Sequence, residues 1–183
     1  MIDLPSPSTA EVAQQHSGSR GGRAQRRLAA AYQEHACGLA RLAFLLTGDA
    51  CLAEDLVHEA FARALARFAH LRRPQSLRAY LRRTVVNLAG KHARRSRNER
   101  AFLAQAGSGA LAAASEPDVE LRDQLWSALR QLPHRQRAAL VLRFYEDLSE
   151  RDTARVLGCR AGTVKSLVHR GLTAMRGEIG GGI

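Results

Sequence analysis

The sequence predicts an all-α protein with two small helical domains joined by a flexible linker and a helix-turn-helix in the C-terminal domain. Three observations support this fold class. Hydrophobic residues make up 45% of the 183-residue chain, and many of them are the helix-favouring residues Ala and Leu. Aromatic residues make up only 5%, and no stretch alternates apolar and polar residues as half-buried strands do. Apolar residues instead recur three and four positions apart, the spacing of amphipathic helices.

The N-terminal part of the chain predicts an arm followed by a helical domain over residues 28–97. Residues 1–27 are rich in Ser, Gly, Gln, Pro and Arg without a helical period. We expect them to form a disordered basic arm, which is either inert or in contact with DNA or a regulator. The first helix of the domain is expected over residues 28–46. Asp49 can cap a second helix that ends near residue 69, and Ser76 can cap a third that begins near Leu77.

Acidic side chains gather near the start of the second helix. Glu54, Asp55, His58 and Glu59 lie on the side opposite to its apolar residues. The expected buried residues are Val57, Phe61, Ala64, Leu65 and Phe68. Acids in this position interact favourably with the positive end of the helix dipole, by about 0.3–1 kcal/mol each, which is a sufficient structural explanation. The same cluster is the main acidic surface of a basic protein, so a basic protein partner is the functional alternative.

The segment after the second helix is strongly basic. Residues 70–100 contain ten Lys and Arg residues and one acid, Glu99. Such charges repel one another unless an anion binds. The formal net charge of +11 favours nucleic acid over a membrane as the partner. Asn87 offers both a donor and an acceptor to a base edge, and the alternative is a solvent-facing or capping Asn. Tyr80 could stack on an exposed base or belong to the core.

The linker is expected over residues 98–117, because residues 101–117 are small, weakly polar and nearly uncharged. The second domain then spans residues 118–177, and residues 178–183 form a frayed tail. Its first helix is expected over residues 118–131, and a second follows Pro133. The expected buried residues of these two helices are Val119, Leu121, Leu125, Trp126, Leu129, Ala138, Val141, Leu142 and Phe144.

The end of the second domain has the pattern of a helix-turn-helix. Ser149 can cap a short helix, with Asp152 three residues later as an imperfect capping box, and Gly158 stops it. A second helix is expected to open at Thr163, with Val164, Leu167, Val168 and Leu172 facing inward. No acid occurs between Asp152 and Glu178, and this suits a helix in the major groove of a duplex. The alternative is an ordinary helical hairpin with a solvated basic face.

Other features limit the functional class. Cys37, Cys51 and Cys159 are odd in number and widely spaced, so we expect buried thiols in a reducing cytoplasm rather than disulfides or a metal site. No apolar run approaches the roughly 18 residues of a membrane-spanning helix, and no signal peptide is visible. We therefore expect a cytoplasmic protein without a membrane partner, a metal or a cofactor.

Four motifs in order resemble bacterial RNA polymerase sigma factors of the extracytoplasmic-function (ECF) type. They are AEDLVHEAFARAL, AYLRRTVVNLAGKHARR, LP-x-x-x-R and LSERDTARVLGCRAGTVKSLVHR. The resemblance covers residues 28–176 and implies a first domain that binds core RNA polymerase and melts the start-proximal promoter element. It implies a second domain whose last helix enters the major groove of the upstream element. Family members are often held inactive by an anti-sigma factor, although nothing in the sequence identifies one.

The resemblance also implies roles for particular residues. The positions expected to contact core polymerase are Glu54, Asp55, Leu56, His58 and Glu59. The positions expected to contact promoter DNA are Arg72, Arg73, Tyr80, Arg83, Asn87, Lys91, Arg94 and Arg95 in the first domain, and Thr163, Lys165, Ser166, His169 and Arg170 in the second. Two positions depart from the family: His58 stands where glutamine is usual, and Leu167 where many members carry a basic residue.

Two other functions compete with this interpretation. A polymerase-independent DNA-binding regulator would use only the second domain and would leave the basic segment around Asn87 unexplained. A nuclease or recombinase could hold a metal with Glu54, Asp55 and Glu59, but no second acidic cluster completes such a site. The sequence therefore favours a sigma factor, which is not an enzyme.

Overall fold

A computed structural model describes residues 9–67, 74–105 and 120–180, with side chains over residues 26–67, 77–99 and 124–178. These parts of the chain contain helices and no strand, so the all-α prediction is confirmed. The helices are α1 (Thr9–Thr47), α2 (Ala50–Ala66), α3 (Pro74–Gln105), α4 (Glu120–Gln131), α5 (His134–Leu140), α6 (Glu150–Leu157) and α7 (Ala161–Gly180). A π-helical turn over Val141–Tyr145 continues α5.

The first domain is built from α1, α2 and α3, which pack on one another around fully buried residues such as Leu42, Leu81 and Val85. The sharp turn between α1 and α2 uses Gly48 in a left-handed conformation, with φ of 78°. Asp49 then caps α2, because its carboxylate accepts a hydrogen bond from the Leu52 N–H at 3.0 Å. This cap confirms the predicted start of the second helix.

The second domain contains the predicted helix-turn-helix. The Ser149 hydroxyl accepts a hydrogen bond from the Asp152 N–H at 3.1 Å, and Gly158 ends α6 in a left-handed conformation. The second helix of the motif, α7, begins at Ala161, two residues before the predicted start at Thr163. Val164 and Leu167 are buried, as predicted.

The two domains pack against each other through α1 and α3 on one side and α4, α5, α6 and the π-helical turn on the other. The ring of Phe44 stacks on Trp126 with centroids 4.9 Å apart. Ala138, Val141 and Leu142 belong to the same buried cluster as the residues of the first domain. The domains therefore share one continuous core in this structure.

Several predicted boundaries are wrong. Residues 9–27 are helical rather than an unstructured arm, because α1 extends outward from its packed part and each added residue gains one hydrogen bond without a new nucleation step. Pro74 opens α3, so Ser76 lies inside this helix and does not cap it. Residues 98–105 of the predicted linker continue α3, and residues 178–180 of the predicted tail continue α7. Residues 1–8, 68–73, 106–119 and 181–183 lie outside the described residues.

Some predicted core residues are exposed. Leu65, Leu125 and Phe144 are 44%, 51% and 64% exposed. Phe144 lies in the π-helical turn, whose extra residue per turn rotates it away from the inward face that an α-helical period predicts. Cys37 and Cys51 are also exposed, so the prediction that they are buried is wrong, while Cys159 is half-buried. The side chains of Phe68, Val119 and Leu121 lie outside the described residues.

Candidate polymerase and nucleic-acid interfaces

The acidic face is the outer side of α2 and consists of Glu54, Asp55, His58 and Glu59, all exposed. The fifth predicted member of this site, Leu56, is only 6% exposed and packs in the core. Its side chain therefore holds α2 against the first domain instead of presenting itself to solvent. Glu59 pairs with Arg63 one turn later, and the exposed carboxylates of Glu54 and Asp55 lie one turn before this pair.

His58 has a partner that the sequence gave no reason to expect. Its Nε2 lies 2.9 Å from the Tyr32 hydroxyl of α1, and the two rings are stacked with centroids 6.0 Å apart. Tyr32 also contacts Phe61, with ring centroids 4.9 Å apart. Because 26 residues separate Tyr32 from His58, only the packing of α1 on α2 brings them together. Tyr32 fixes the orientation of the imidazole on the acidic face.

The basic face of the first domain is formed by α3. Arg83, Asn87, Lys91 and Arg94 recur at three- or four-residue intervals and are all exposed, so they lie along one side of the helix. Arg95 is exposed and pairs with Glu99 at 2.8 Å, and this hydrogen bond raises the pKa of its guanidinium. Arg72 and Arg73 lie outside the described residues.

Tyr80 lies at the inner edge of the basic face. Its side chain is half-buried and packs against the shared core, and its carbonyl accepts a hydrogen bond from the Thr84 hydroxyl at 2.8 Å. Much of the Tyr80 side chain is therefore buried, in agreement with the alternative that it belongs to the core, and the rest of the side chain is accessible to solvent.

Asn87 faces a groove of about 480 Å³ between the two domains. Arg94 and Arg97 of α3 line the same groove, and Leu157 and Gly158 at the end of α6 form part of its opposite wall. The amide that the sequence assigns to base recognition is therefore exposed, but it lies directly beside the helix-turn-helix.

The outer face of α7 carries all five predicted residues of the second domain. Thr163, Lys165, Ser166, His169 and Arg170 are exposed. The Lys165 ammonium lies 3.7 Å from the Glu150 carboxylate of α6, and Arg170 Nε donates to the Ser166 carbonyl at 3.2 Å. Leu167 is 7% exposed, so this position, which is basic in many sigma factors, belongs to the core here.

Three basic residues at the domain junction, Arg82, Arg137 and His134, have contacts that the sequence analysis did not predict. Arg82 of α3 forms an ion pair with Glu146, which follows the π-helical turn, at 2.7 Å. Arg137 of α5 donates from Nη1 to the Leu46 carbonyl of α1 at 2.8 Å, and burial lowers the pKa of its guanidinium. No local sequence pattern predicts contacts between residues that are so far apart in the chain.

His134, the third of these residues, lies in the same junction. Its pKa is lowered to about 4, first by burial and then by the positive charges of Arg137, Arg94, Arg97 and Arg135. Its imidazole is therefore neutral at pH 7, and Nδ1 has no hydrogen-bond partner among the described residues.

Two further searches concern the described residues only. No group of three or more His, Cys, Asp and Glu side chains is placed to hold a metal ion. No described helix is both long enough and apolar enough to cross a membrane.

Comparisons with known proteins match both domains. The family model of sigma-70 region 2 matches residues 31–99, and that of sigma-70 region 4 matches residues 122–175. The RNA polymerase sigma-E factor of Streptomyces coelicolor is 35% identical over 141 residues, which cover 77% of this chain and 79% of that protein. The ECF RNA polymerase sigma factor SigL of Mycobacterium tuberculosis is 35% identical over 153 residues, which cover 80% of this chain and 85% of that protein. The chain belongs to the ECF sigma factors.

A solved structure has the same fold as this sigma factor. It is the sigma factor RpoE of Bartonella quintana in complex with the anti-sigma factor NepR, with 24% identity and a TM-score of 0.62. The alignment covers 85% of this chain and 95% of that chain. In this sigma factor the region 2 match contains both the acidic face and the basic face, and the region 4 match contains the helix-turn-helix.

Proposed function

We propose that this sigma factor binds core RNA polymerase and directs promoter recognition, promoter melting and transcription initiation at a small set of genes. The observation that carries this proposal is the presence, in one chain, of an acidic face on α2, a basic face on α3 and an acid-poor outer face on α7. Each surface suits a different partner, namely a basic protein surface, a melted strand and a duplex. A regulator that acts without polymerase needs only the last of these surfaces.

The acidic face is the proposed contact with core polymerase. Glu54 and Asp55 are exposed and project from a helix that the buried Leu56 anchors. Carboxylates in a protein with a formal net charge of +11 create a local field of the opposite sign, which steers a basic partner to this face. His58 and Glu59 extend the same surface by one turn.

The basic face is the proposed contact with the melted start-proximal element. Its Arg and Lys residues neutralise phosphates, which gives affinity without sequence choice. Asn87, at the centre of the face, supplies the donor and acceptor that a base held outside the stack requires. Tyr80 offers the accessible part of its ring for stacking. Arg72 and Arg73 belong to the same proposed site on sequence grounds alone.

The outer face of α7 is the proposed contact with the upstream element. Lys165, Ser166 and His169 lie along the exposed side of the helix, where base edges and phosphates of a major groove are within reach. Arg170 lies on the same side and is suited to a phosphate contact. Each domain offers a small DNA surface, so assembly on polymerase raises the effective concentration of the second contact once the first has formed.

Two further aspects complete the proposal. The protein works in the cytoplasm without a cofactor and without catalysing a reaction itself, since its proposed role is to position DNA. An anti-sigma factor is a proposed regulator. The apolar groove between α1, α2 and α4, which Phe44, Trp126 and Tyr145 line with a volume of about 760 Å³, is a candidate surface for such a partner.

The direct test of the core contact is equilibrium binding of the full chain to purified core polymerase. The double variant Glu54→Lys with Asp55→Lys should weaken binding at least about tenfold, because two attractive charges become repulsive. The matched control is Glu178→Lys, an exposed acid at the end of α7. Equal affinity of the wild type and the double variant would remove the acidic face from the proposal, and absence of any binding by the wild type would end the proposal itself.

A further inference from the structure

A further cleft lies at the domain junction, away from the acidic face, and it shares Arg97 and His134 with the groove that Asn87 lines. Its volume is about 680 Å³, within the range of small-molecule sites. It is lined by residues from the α1–α2 turn, the C-terminal half of α3, the end of α4 and the start of α5. Both domains therefore contribute to its walls.

The charged and titratable side chains that line this cleft are almost all basic. They are Arg97 and His92 from α3, Arg130 from α4, and His134 and Arg137 from α5, and the one carboxylate among them is Asp49. Asp49 already accepts the hydrogen bond that caps α2. Within the described part of the chain, no carboxylate lies within ion-pair distance of Arg97 or Arg130. The cleft thus holds positive charge on Arg97 and Arg130 that no ion pair among the described side chains neutralises.

One of these arginines, Arg137, is held in place by the fold. Arg137 Nη1 donates to the Leu46 carbonyl at 2.8 Å and Nη2 donates to the Leu132 carbonyl at 3.2 Å, so this side chain bridges the two domains. Arg130 reaches across to the turn after α1, where its Nε lies 3.1 Å from the position of a Cβ on Gly48. The guanidinium of Arg137 is thus fixed at one wall of the cleft, and the exposed Arg97 and Arg130 side chains add positive charge at its other walls.

Two buried polar atoms beside the cleft lack a partner. Arg137 Nε and His134 Nδ1 are inaccessible to solvent and make no hydrogen bond among the described residues. Buried donors and acceptors are satisfied in the great majority of cases. The pKa of His134 is lowered mainly by its burial, and the nearby positive charges of Arg137, Arg94, Arg97 and Arg135 lower it in the same direction.

We propose that this cleft binds a small phosphorylated anion, in the size range of a nucleotide, whose phosphate groups lie between Arg97 and Arg130 next to His134. Arginine forms bidentate hydrogen bonds with phosphate oxygens, and a neutral imidazole can donate a further one. The volume exceeds what a single phosphate needs, and the walls come from both domains. A bound phosphoanion therefore stabilises the packed arrangement of the two domains.

The test uses the full-length chain and inorganic pyrophosphate as the probe, with sodium chloride to hold the ionic strength constant. Isothermal titration calorimetry should give saturable binding of one pyrophosphate per chain. Arg97→Gln and Arg130→Gln should each weaken it about tenfold, since each removes a charge-assisted pair of hydrogen bonds. Arg176→Gln, an exposed arginine near the end of α7, is the matched control and should bind like the wild type.

A second measurement does not depend on the stability of the variants. Nuclear magnetic resonance titration of the histidine side chains should show the pKa of His134 rising when pyrophosphate is present, because the anion offsets the neighbouring arginines. Absence of saturable binding to the wild type would overturn the proposal, as would unchanged affinity of both variants. If only a single-stranded oligonucleotide binds through Arg97 and Arg130, the cleft is a DNA contact and the proposal is also wrong. Binding to core polymerase and pyrophosphate binding are separate measurements, so either proposal can fail alone.

Discussion

Arg82 Nε lies 2.7 Å from Glu146 Oε2, and the two side chains are only 12% and 14% exposed. This ion pair joins the basic helix of region 2 to the segment that leads into the helix-turn-helix of region 4. Removal of one partner from a largely buried pair leaves an uncompensated charge, which is more harmful than loss of the pair as a whole. The two domains of this sigma factor are therefore held in one closed arrangement by a specific polar contact as well as by apolar packing.

Glu146→Gln should loosen the closed arrangement. The free energy of unfolding should fall by about 2 kcal/mol, between the values for exposed and buried pairs, because Arg82 loses the carboxylate with which it is paired. Urea denaturation measures the loss, and small-angle X-ray scattering should show a larger radius of gyration. Glu99→Gln, which breaks the exposed Arg95 pair, is the control and should change both quantities little. Identical scattering from Glu146→Gln and the wild type would show that the ion pair does not hold the domains together.

Trp126 should report the state of the domain junction. It is the only Trp of the chain, and its ring stacks on Phe44 of the other domain with an interplanar angle of 13°. Phe44→Ala should shift the Trp126 fluorescence maximum to longer wavelength, because water reaches the uncovered indole. Phe61→Leu, a change in the core of the first domain that leaves the stack intact, is the control. An unshifted spectrum for Phe44→Ala would mean that the stack does not persist in solution.

Acidification should destabilise the protein through His134. The pKa of His134 in the folded protein, about 4, lies below the ordinary value of 6.5. Between these two pH values His134 is therefore protonated more often in the unfolded chain than in the folded protein. The stabilising contribution of His134 to the free energy of unfolding is therefore fully present above pH 6.5. It is lost as the pH decreases to about 4, and this loss is about 3 kcal/mol at most. Urea denaturation across this window should show a weaker pH dependence for His134→Gln than for the wild type. His169→Gln, an exposed histidine, should retain the wild-type slope.

Asn87→Ala should change base preference in the start-proximal element and leave binding to core polymerase intact. The amide supplies hydrogen bonds to a base edge, and its loss affects the promoters whose base made those bonds. Transcription from a panel of promoters that differ at single positions measures the preference. Lys91→Ala, one turn further along the basic face, should reduce transcription from all promoters by a similar factor. If Asn87→Ala reduced transcription equally from every promoter, Asn87 would not be a base-recognising residue.

Arg170→Ala should weaken binding to the upstream element by a similar factor for all sequences. A phosphate contact carries no base information, and its loss should lower the slope of log affinity against log salt by about one unit. Duplex binding by the polymerase complex at several salt concentrations measures this slope. Arg176→Ala, on the same helix, is the control. A loss confined to particular sequences would instead make Arg170 a base-reading residue.

Local chemistry explains why much of the fold was predictable. Asp49, Ser149 and Gly158 act on the backbone within a few residues of themselves, so their roles as caps and stop follow from the sequence. Phe144 was placed wrongly because a π-helical turn breaks the α-helical period that the prediction assumed. The start of α1 was missed because a helix with low intrinsic preference can still extend from a packed neighbouring segment.

The sequence could predict which residues of the candidate interfaces are exposed, because amphipathic spacing separates them from the core residues. It could not predict the contacts between domains. Arg82 meets Glu146, and Arg137 meets the Leu46 carbonyl, only because the two domains pack together. Tyr32 and His58, which both belong to the first domain, are likewise far apart in the sequence and meet only through the packing of α1 on α2. Leu56 shows the same limit, since its family position implies a contact with core polymerase but the structure places its side chain in the core. Leu167 is buried, as its inward position in the helical period predicts.

The central claim is that this chain converts core RNA polymerase into an enzyme that starts at defined promoters. Run-off transcription with purified core polymerase on fragments of the source genome tests it most directly. The account predicts discrete transcripts that require the protein, that share a start-proximal and an upstream element, and that disappear with Glu54→Lys and Asp55→Lys together. Only non-specific transcription, unchanged by addition of the protein, would contradict it.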